Sequence, residues 1–173
     1  LMTAGLLNML IFPGDILHYY AVYFVIGAMM LSLTRGALIL SIFAINLIFL
    51  AMLFTLNYEA GWNWETLDYH GFWTPEGFIR NLFFNGWHPV FPWMSFLIFG
   101  LFLSKLDLSR RVNQLRLLAF GTIGYLATTA LSQSLILSTP DPDLSALFGT
   151  SPIPPMPFYI CAGICAASFV IGS

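Results

Sequence analysis

The sequence predicts an all-α protein, a multi-pass bundle of transmembrane helices, and three observations carry that prediction. Hydrophobic residues make up 58% of the chain and charged residues only 8%, where soluble domains carry about a quarter charged residues. Mean hydropathy is correspondingly high, at +0.82. Apolar runs long enough to cross a bilayer recur along the chain, separated by turn-forming breaks. In lipid each run must satisfy its own backbone polar groups, which a helix does.

In chain order, residues 1–12 read as the tail of a helix ended by the break Pro13-Gly14-Asp15. The first full span covers 16–34. After the tight connector Arg35-Gly36 a second covers 37–56, with Asn46 its only strongly polar member. An aromatic and acidic loop then occupies 57–88. Within it Thr74-Pro75-Glu76 has the marks of a helix start: a capping hydroxyl, proline at the first helical position and an acid in the first turn. Asn85-Gly86 reads as the stop of that short interfacial helix. Phe78, Ile79, Leu82 and Phe83 share one of its arcs, and Asn81 and Asn85 share another. A third span starts near Pro89 and ends at Leu103 or Ser104. A basic loop with Lys105, Arg110, Arg111 and Arg116 leads to a fourth at about 117–138. The proline-rich segment 139–157 cannot continue a helix, and a fifth span opens at Phe158. The expectation is therefore about five spans plus a partial N-terminal helix. Because the sequence starts at Leu1 and stops at Ser173 inside apolar runs, residues 1–173 are expected to form a single bundle truncated at both ends.

Charge sets the predicted orientation. Every lysine and arginine except Arg80 falls at Arg35 or between Lys105 and Arg116, and loops enriched in such residues stay in the cytoplasm. Loops 57–88 and 139–157 then lie outside, with most acids and with His18, His70 and His88. Groups able to move protons near neutral pH are thus gathered on one side.

Arg80, Asn81, Asn85 and His88, with the neighbouring Trp87, form the leading constellation. A positive charge and two amides at the membrane edge can bind a carbonyl, phosphate or sugar, and an imidazole beside them can act as a general base. The structural alternative has Arg80 snorkelling to headgroups, the asparagines ending helices and His88 merely preceding a proline-started helix. Polar groups at membrane depth favour the functional reading. Asp15 and His18 form the second constellation. Asp15 stands where an N-cap belongs, accepting the His18 backbone N–H, and the cap is the preferred role, although an acid can also orient a histidine for proton transfer. His18-Tyr19-Tyr20 with Tyr23, and Trp62, Trp64, Tyr69, Trp73 and Trp87, fit an interfacial aromatic belt, and such rings also stack on sugars.

Asp68, His70 and His88 have no recognised ligand spacing, and no metal is expected. Cys161 and Cys165, four apart, read as small packing residues. Gly124, Thr128 and Ser132 recur every four residues and point to close helix packing, with Gln133 able to line a polar cavity instead. The chain carries no phosphate-cradling glycine loop, nucleophile elbow or nucleic-acid signature.

The stretches FPGDILHYYAVYFVIG (12–27) and NLFFNGWHPVFPWMSFLIFGLFLSKLDL (81–108) resemble segments of the YeiB-type bacterial membrane proteins. These are relatives of heparan-alpha-glucosaminide N-acetyltransferase in a superfamily of multi-pass transmembrane acyltransferases. The resemblance implies a helical bundle in the bacterial inner membrane that takes an acyl group from cytoplasmic acyl-CoA, such as acetyl-CoA, and passes it to an outer acceptor, often a glycan. In the acetyltransferases a catalytic histidine comes from an early outer loop, a segment expected to precede this sequence, so no residue here inherits that role. His88 and Asp15 match YeiB-type motif positions. Acyl transfer would use His88 as base, Asp15 and His18 as its catalytic partners, and Arg80, Asn81, Asn85 and Trp87 as substrate contacts. Arg110-Arg111 can attract CoA phosphates, although topology and anionic lipid account for the same charges. The rival readings are a transporter that uses the polar cluster for substrate or protons, and a non-catalytic membrane scaffold.

Overall fold

The computed structural model describes residues 1–173 and is mostly helical. The elements are α1 (Met2–Asn8), α2 (Leu17–Met30), α3 (Arg35–Thr55), β1 (Trp62–Asn63), β2 (Asp68–Tyr69), α4 (Pro75–Arg80), a π-helical turn (Asn81–Asn85), α5 (Val90–Leu103), α6 (Arg111–Ser138), α7 (Pro142–Ala146) and α8 (Pro157–Gly172). Helices therefore stand at each of the five expected places. Two of them, α3 and α6, are long and apolar enough to cross a membrane, and a third span results if α4 with its π-turn and α5 are taken together as one pair bent by 50°. The shorter α2 and α8 are apolar but do not reach that length.

Several boundaries differ from the sequence reading, each for a local reason. Arg35-Gly36 is not a connector: the Thr34 hydroxyl accepts the Ala37 N–H and starts α3 at Arg35. Residues 110–116 are not all loop, since α6 starts at Arg111 and carries Arg111 and Arg116 on its first turns. In α5 the residue before Pro92, Phe91, is extended (φ −94°, ψ 120°), because proline crowds its predecessor out of the helical region. Thr74 caps α4 as expected, its hydroxyl accepting the Gly77 N–H at 3.1 Å. The helix does end at Asn85, but Gly86 is not left-handed (φ −75°). Its glycine is required by space: a Cβ there would fall on the Tyr19 hydroxyl and on Asn81.

The chain divides into two compact units, 1–97 and 98–173. In the first, α1 packs on α2 so closely that a Cβ on Gly5 would strike the His18 backbone and the Asp15 carboxylate. α3 presents Leu40, Phe43, Leu47 and Phe54 outward, the apolar exterior expected of a helix in lipid. Asn46 turns inward and donates to Ser95 Oγ at 3.0 Å. Between α3 and α4 the loop folds back as a small antiparallel hairpin, with Trp62 opposite Tyr69 and Asn63 opposite Asp68.

In the second unit α6 packs along α8. The predicted small-residue stripe makes this contact and starts one turn earlier than expected. A Cβ on Gly121 would fall on the backbone of Cys165 and Phe169, and one on Gly124 on the Cys165 sulfur. Thr128 meets Cys161 at 3.3 Å, so both cysteines serve as packing residues. Ser132 donates to the Phe148 carbonyl at 2.6 Å. Gln133 is exposed rather than turned into the helix pair.

Candidate functional site

The first unit gathers most of the predicted polar residues around Tyr19. Asp15, buried just before α2, accepts the backbone N–H of Leu17 at 2.8 Å and of His18 at 3.3 Å, so its carboxylate caps the helix from one position outside it. The same carboxylate takes the Asn8 amide at 2.8 Å and the His18 ring Nδ1 at 3.1 Å. Cap and orienting acid coexist. Burial acts to raise the Asp15 pKa, but the hydrogen bonds from the Asn8 and His18 side chains and from two backbone N–H groups outweigh it and hold the carboxyl below its ordinary value. His18 is fully buried, and its Nε2 has no partner. Its ring lies against Tyr19, with centroids 3.9 Å apart, and edge-on to Phe72.

Tyr19 and Tyr23 depart from the belt reading: both are buried, and only Tyr20 of the three stays exposed. The Tyr19 hydroxyl donates to Asn81 Oδ1 at 2.5 Å and accepts the Trp87 N–H at 3.1 Å. Tyr23 donates to the His88 carbonyl at 2.6 Å. One turn apart on α2, the two tyrosines clamp both ends of the segment from Asn81 to His88. That segment includes the π-turn, a rare distortion that recurs at functional sites.

Two adjoining cavities open beside this clamp and share Pro13, Leu67, Asp68 and Trp87. One, of about 310 Å³, is walled by rings, including Trp62, Tyr69, Phe72 and Trp73, with Asn81 and His70 among its polar groups. The other, of about 380 Å³, is a more apolar groove bordered by Phe12, Pro13, Leu67 and Trp87, with His88 in its wall. His88 Nδ1 is buried without a partner, which leaves Nε2 as the nitrogen able to face the groove. The His88 ring stands edge-on to Trp93 and Tyr19.

The structure thus brings Asp15, His18, Asn81, Trp87 and His88 together, and it places Arg80 and Asn85 elsewhere. Arg80 donates to the Tyr69 hydroxyl at 2.8 Å and pairs with Glu76 at 3.3 Å. Asn85 is fully buried and committed: its amide donates to the carbonyls of Tyr58 and Ala60 at 2.7 and 2.8 Å, and its Oδ1 accepts from Tyr69 at 2.8 Å. Its backbone carbonyl takes the Trp62 indole N–H. Neither residue lines either of these two cavities. Burial raises the Tyr69 pKa, and the hydrogen bond and charge of Arg80 oppose the rise. Asp68, His70 and His88 form no three-residue ligand group.

Sequence reasoning missed Asn8, Gly5, Tyr19 and Tyr23. The spacing of Tyr19 and Tyr23 at i and i+4, beside His18 on one helix, was the available signal for an inward face. Asn8 gave none, because its partner lies across a turn.

Apolar helices long enough to cross a membrane define the class: an integral membrane protein. The particular family follows from the sequence. Residues 6–137 match the family model described as heparan-alpha-glucosaminide N-acetyltransferase, catalytic, and the chain belongs to that family. It is an integral membrane protein of an acetyltransferase family. No curated protein and no solved structure matches the chain.

Proposed function

We propose that the protein is a YeiB-type acyltransferase of the bacterial inner membrane, passing an acyl group from cytoplasmic acyl-CoA to an outer acceptor such as a glycan. The observation that carries this reading is His88 in the wall of an apolar groove that adjoins an aromatic pocket containing Asn81. A thioester carbonyl held between them would have a base on one side and an amide donor on the other. In the proposed step His88 Nε2 takes the proton of the acceptor's amine or hydroxyl as that atom bonds to the thioester carbon. The carbonyl oxygen becomes an oxyanion facing the Asn81 amide. Collapse re-forms the carbonyl and breaks the carbon–sulfur bond, and the departing CoA thiolate recovers the proton from His88.

The Trp87 and Trp62 rings would stack on the acceptor. Asp15 and His18 support Tyr19 and through it Asn81, while Arg80 and Asn85 hold the hairpin that walls the pocket. Five spans in a single bundle, with Arg35 and residues 105–116 cytoplasmic and loops 57–88 and 139–157 outside, give this site the sidedness the reaction needs. The arginines at the start of α6 would attract CoA phosphates.

The test is release of free CoA from acetyl-CoA by sealed vesicles containing the full-length protein, supplied with a pool of outer-side glycans. Wild type is expected to release CoA, with a loss of roughly a hundredfold or more in His88→Ala, as removal of a general base costs. Release at wild-type rate in the mutant would remove His88 from the mechanism. Absence of release by wild type, together with uptake of solute, would replace catalysis by transport.

A further inference from the structure

Leu67 is the one non-glycine residue of the chain with a positive φ, at 60°. The left-handed region costs a residue with a Cβ about 1–2 kcal/mol, and glycine or asparagine would occupy it more readily. The hairpin turn already holds itself by Asn63, whose Oδ1 accepts the N–H groups of Glu65 and Thr66 at 3.1 and 3.4 Å. A large apolar side chain is thus held in an unfavourable conformation and, at 51% exposure, is not repaid by burial. What it does border is both cavities, alongside Trp87 and Pro13. Strain of this kind at a cavity wall points to a functional constraint on the side chain.

The two cavities that Leu67 borders differ in chemistry. The aromatic pocket carries Asn81 and His70 beside the Asp68 that both cavities share, and suits a polar acceptor. The groove holding His88 is bordered mainly by hydrocarbon and suits an acyl chain. Its volume of about 380 Å³ far exceeds an acetyl group: at the roughly 30 Å³ that one water occupies in the liquid, it has room for about a dozen heavy atoms.

Resting on the acyl-transfer reading, we infer that the groove takes the acyl chain of the donor, that it accepts chains of intermediate length in addition to acetyl, and that Leu67 is the wall residue that sets the preferred length. Leu67 touches the substrate chain and takes no part in proton transfer. It is a specificity-determining residue.

The experiment measures CoA release from acetyl-, butyryl-, hexanoyl- and octanoyl-CoA by vesicles containing the full-length protein, for wild type, Leu67→Ala, Leu67→Gly and Leu67→Trp. Wild type is expected to use at least one chain longer than acetyl. Leu67→Trp, which enlarges the side chain at the groove wall by far more than one methylene, should shift the ratio of octanoyl to acetyl turnover down by roughly tenfold or more, since one methylene of misfit is already worth about tenfold. Leu67→Ala and Leu67→Gly should both shift it up. The glycine variant relieves the left-handed strain and the alanine variant does not, so a common shift in both assigns the effect to the lost side chain rather than to a collapsed hairpin. Turnover of acetyl-CoA alone, or a chain-length profile unchanged in all three variants, would overturn the inference and leave acyl transfer standing. Failure to release CoA from any of the four donors would overturn acyl transfer itself and the inference with it.

Discussion

Replacing Asn85 should damage folding far more than it alters any ligand contact. Its side chain makes three hydrogen bonds, two donated to the carbonyls of Tyr58 and Ala60 and one accepted from Tyr69, in a site with no solvent exposure. Asn85→Ala leaves two carbonyls and one hydroxyl short of a partner. Tyr69 keeps the Arg80 contact, so the two carbonyls dominate. At about 1–3 kcal/mol for each stranded buried group, and with incomplete additivity, the expected cost is about 2–4 kcal/mol. Asn85→Asp is the sharper perturbation because it is the same size. It preserves the acceptor for Tyr69 but replaces the amide that faces two carbonyls with a carboxylate oxygen, pairing lone pair with lone pair and burying a charge. It should therefore be at least as destabilising as alanine. The assay is equilibrium unfolding of the purified protein in detergent, followed by fluorescence of Trp62 and Trp64, whose rings stack on the hairpin next to this site. Wild-type stability in Asn85→Asp would refute the reasoning, because no arrangement of a carboxylate can replace both donated bonds.

Acid should remove the contribution of Asp15. Its folded-state pKa is depressed, so the stabilisation is fully present above the unfolded carboxylate value of about 4 and is lost as pH falls through the lower folded value. The stability gap between wild type and Asp15→Asn should shrink on acidification from pH 7 to below pH 4, measured by unfolding in detergent, and a constant gap would contradict the assigned hydrogen bonds. In the second unit, Gly121→Ala should force α6 away from α8, since the added Cβ meets backbone rather than a movable side chain. A cost of about 1–3 kcal/mol is expected. Maleimide labelling of Cys165, buried in the parent, should accelerate, and an unchanged labelling rate would argue against the close contact.

The sequence by itself determined those features that depend on a residue and its chain neighbours. Apolar runs placed the helices, the hydroxyl of Thr74 was positioned to cap, Pro13-Gly14-Asp15 broke the chain, and small residues at four-residue spacing marked the face of α6 that meets α8. Asp15 and His18, three apart, were also legible as a pair. Tertiary structure decided which polar groups remain available for chemistry. Asn81 and Asn85 look alike in sequence, four apart on one short helix, but Asn85 is consumed by the carbonyls of a loop 25 and 27 residues away, whereas Asn81 borders a cavity. Tyr19 and Tyr23 find their partners 62 to 68 residues along the chain, which no local pattern encodes. Leu67 gives no sign in sequence of its left-handed backbone or of the two cavities it borders. The physical reason is common to these cases: a local preference is set by neighbours along the chain, while the availability of a buried donor or acceptor is set by whichever distant group reaches it first.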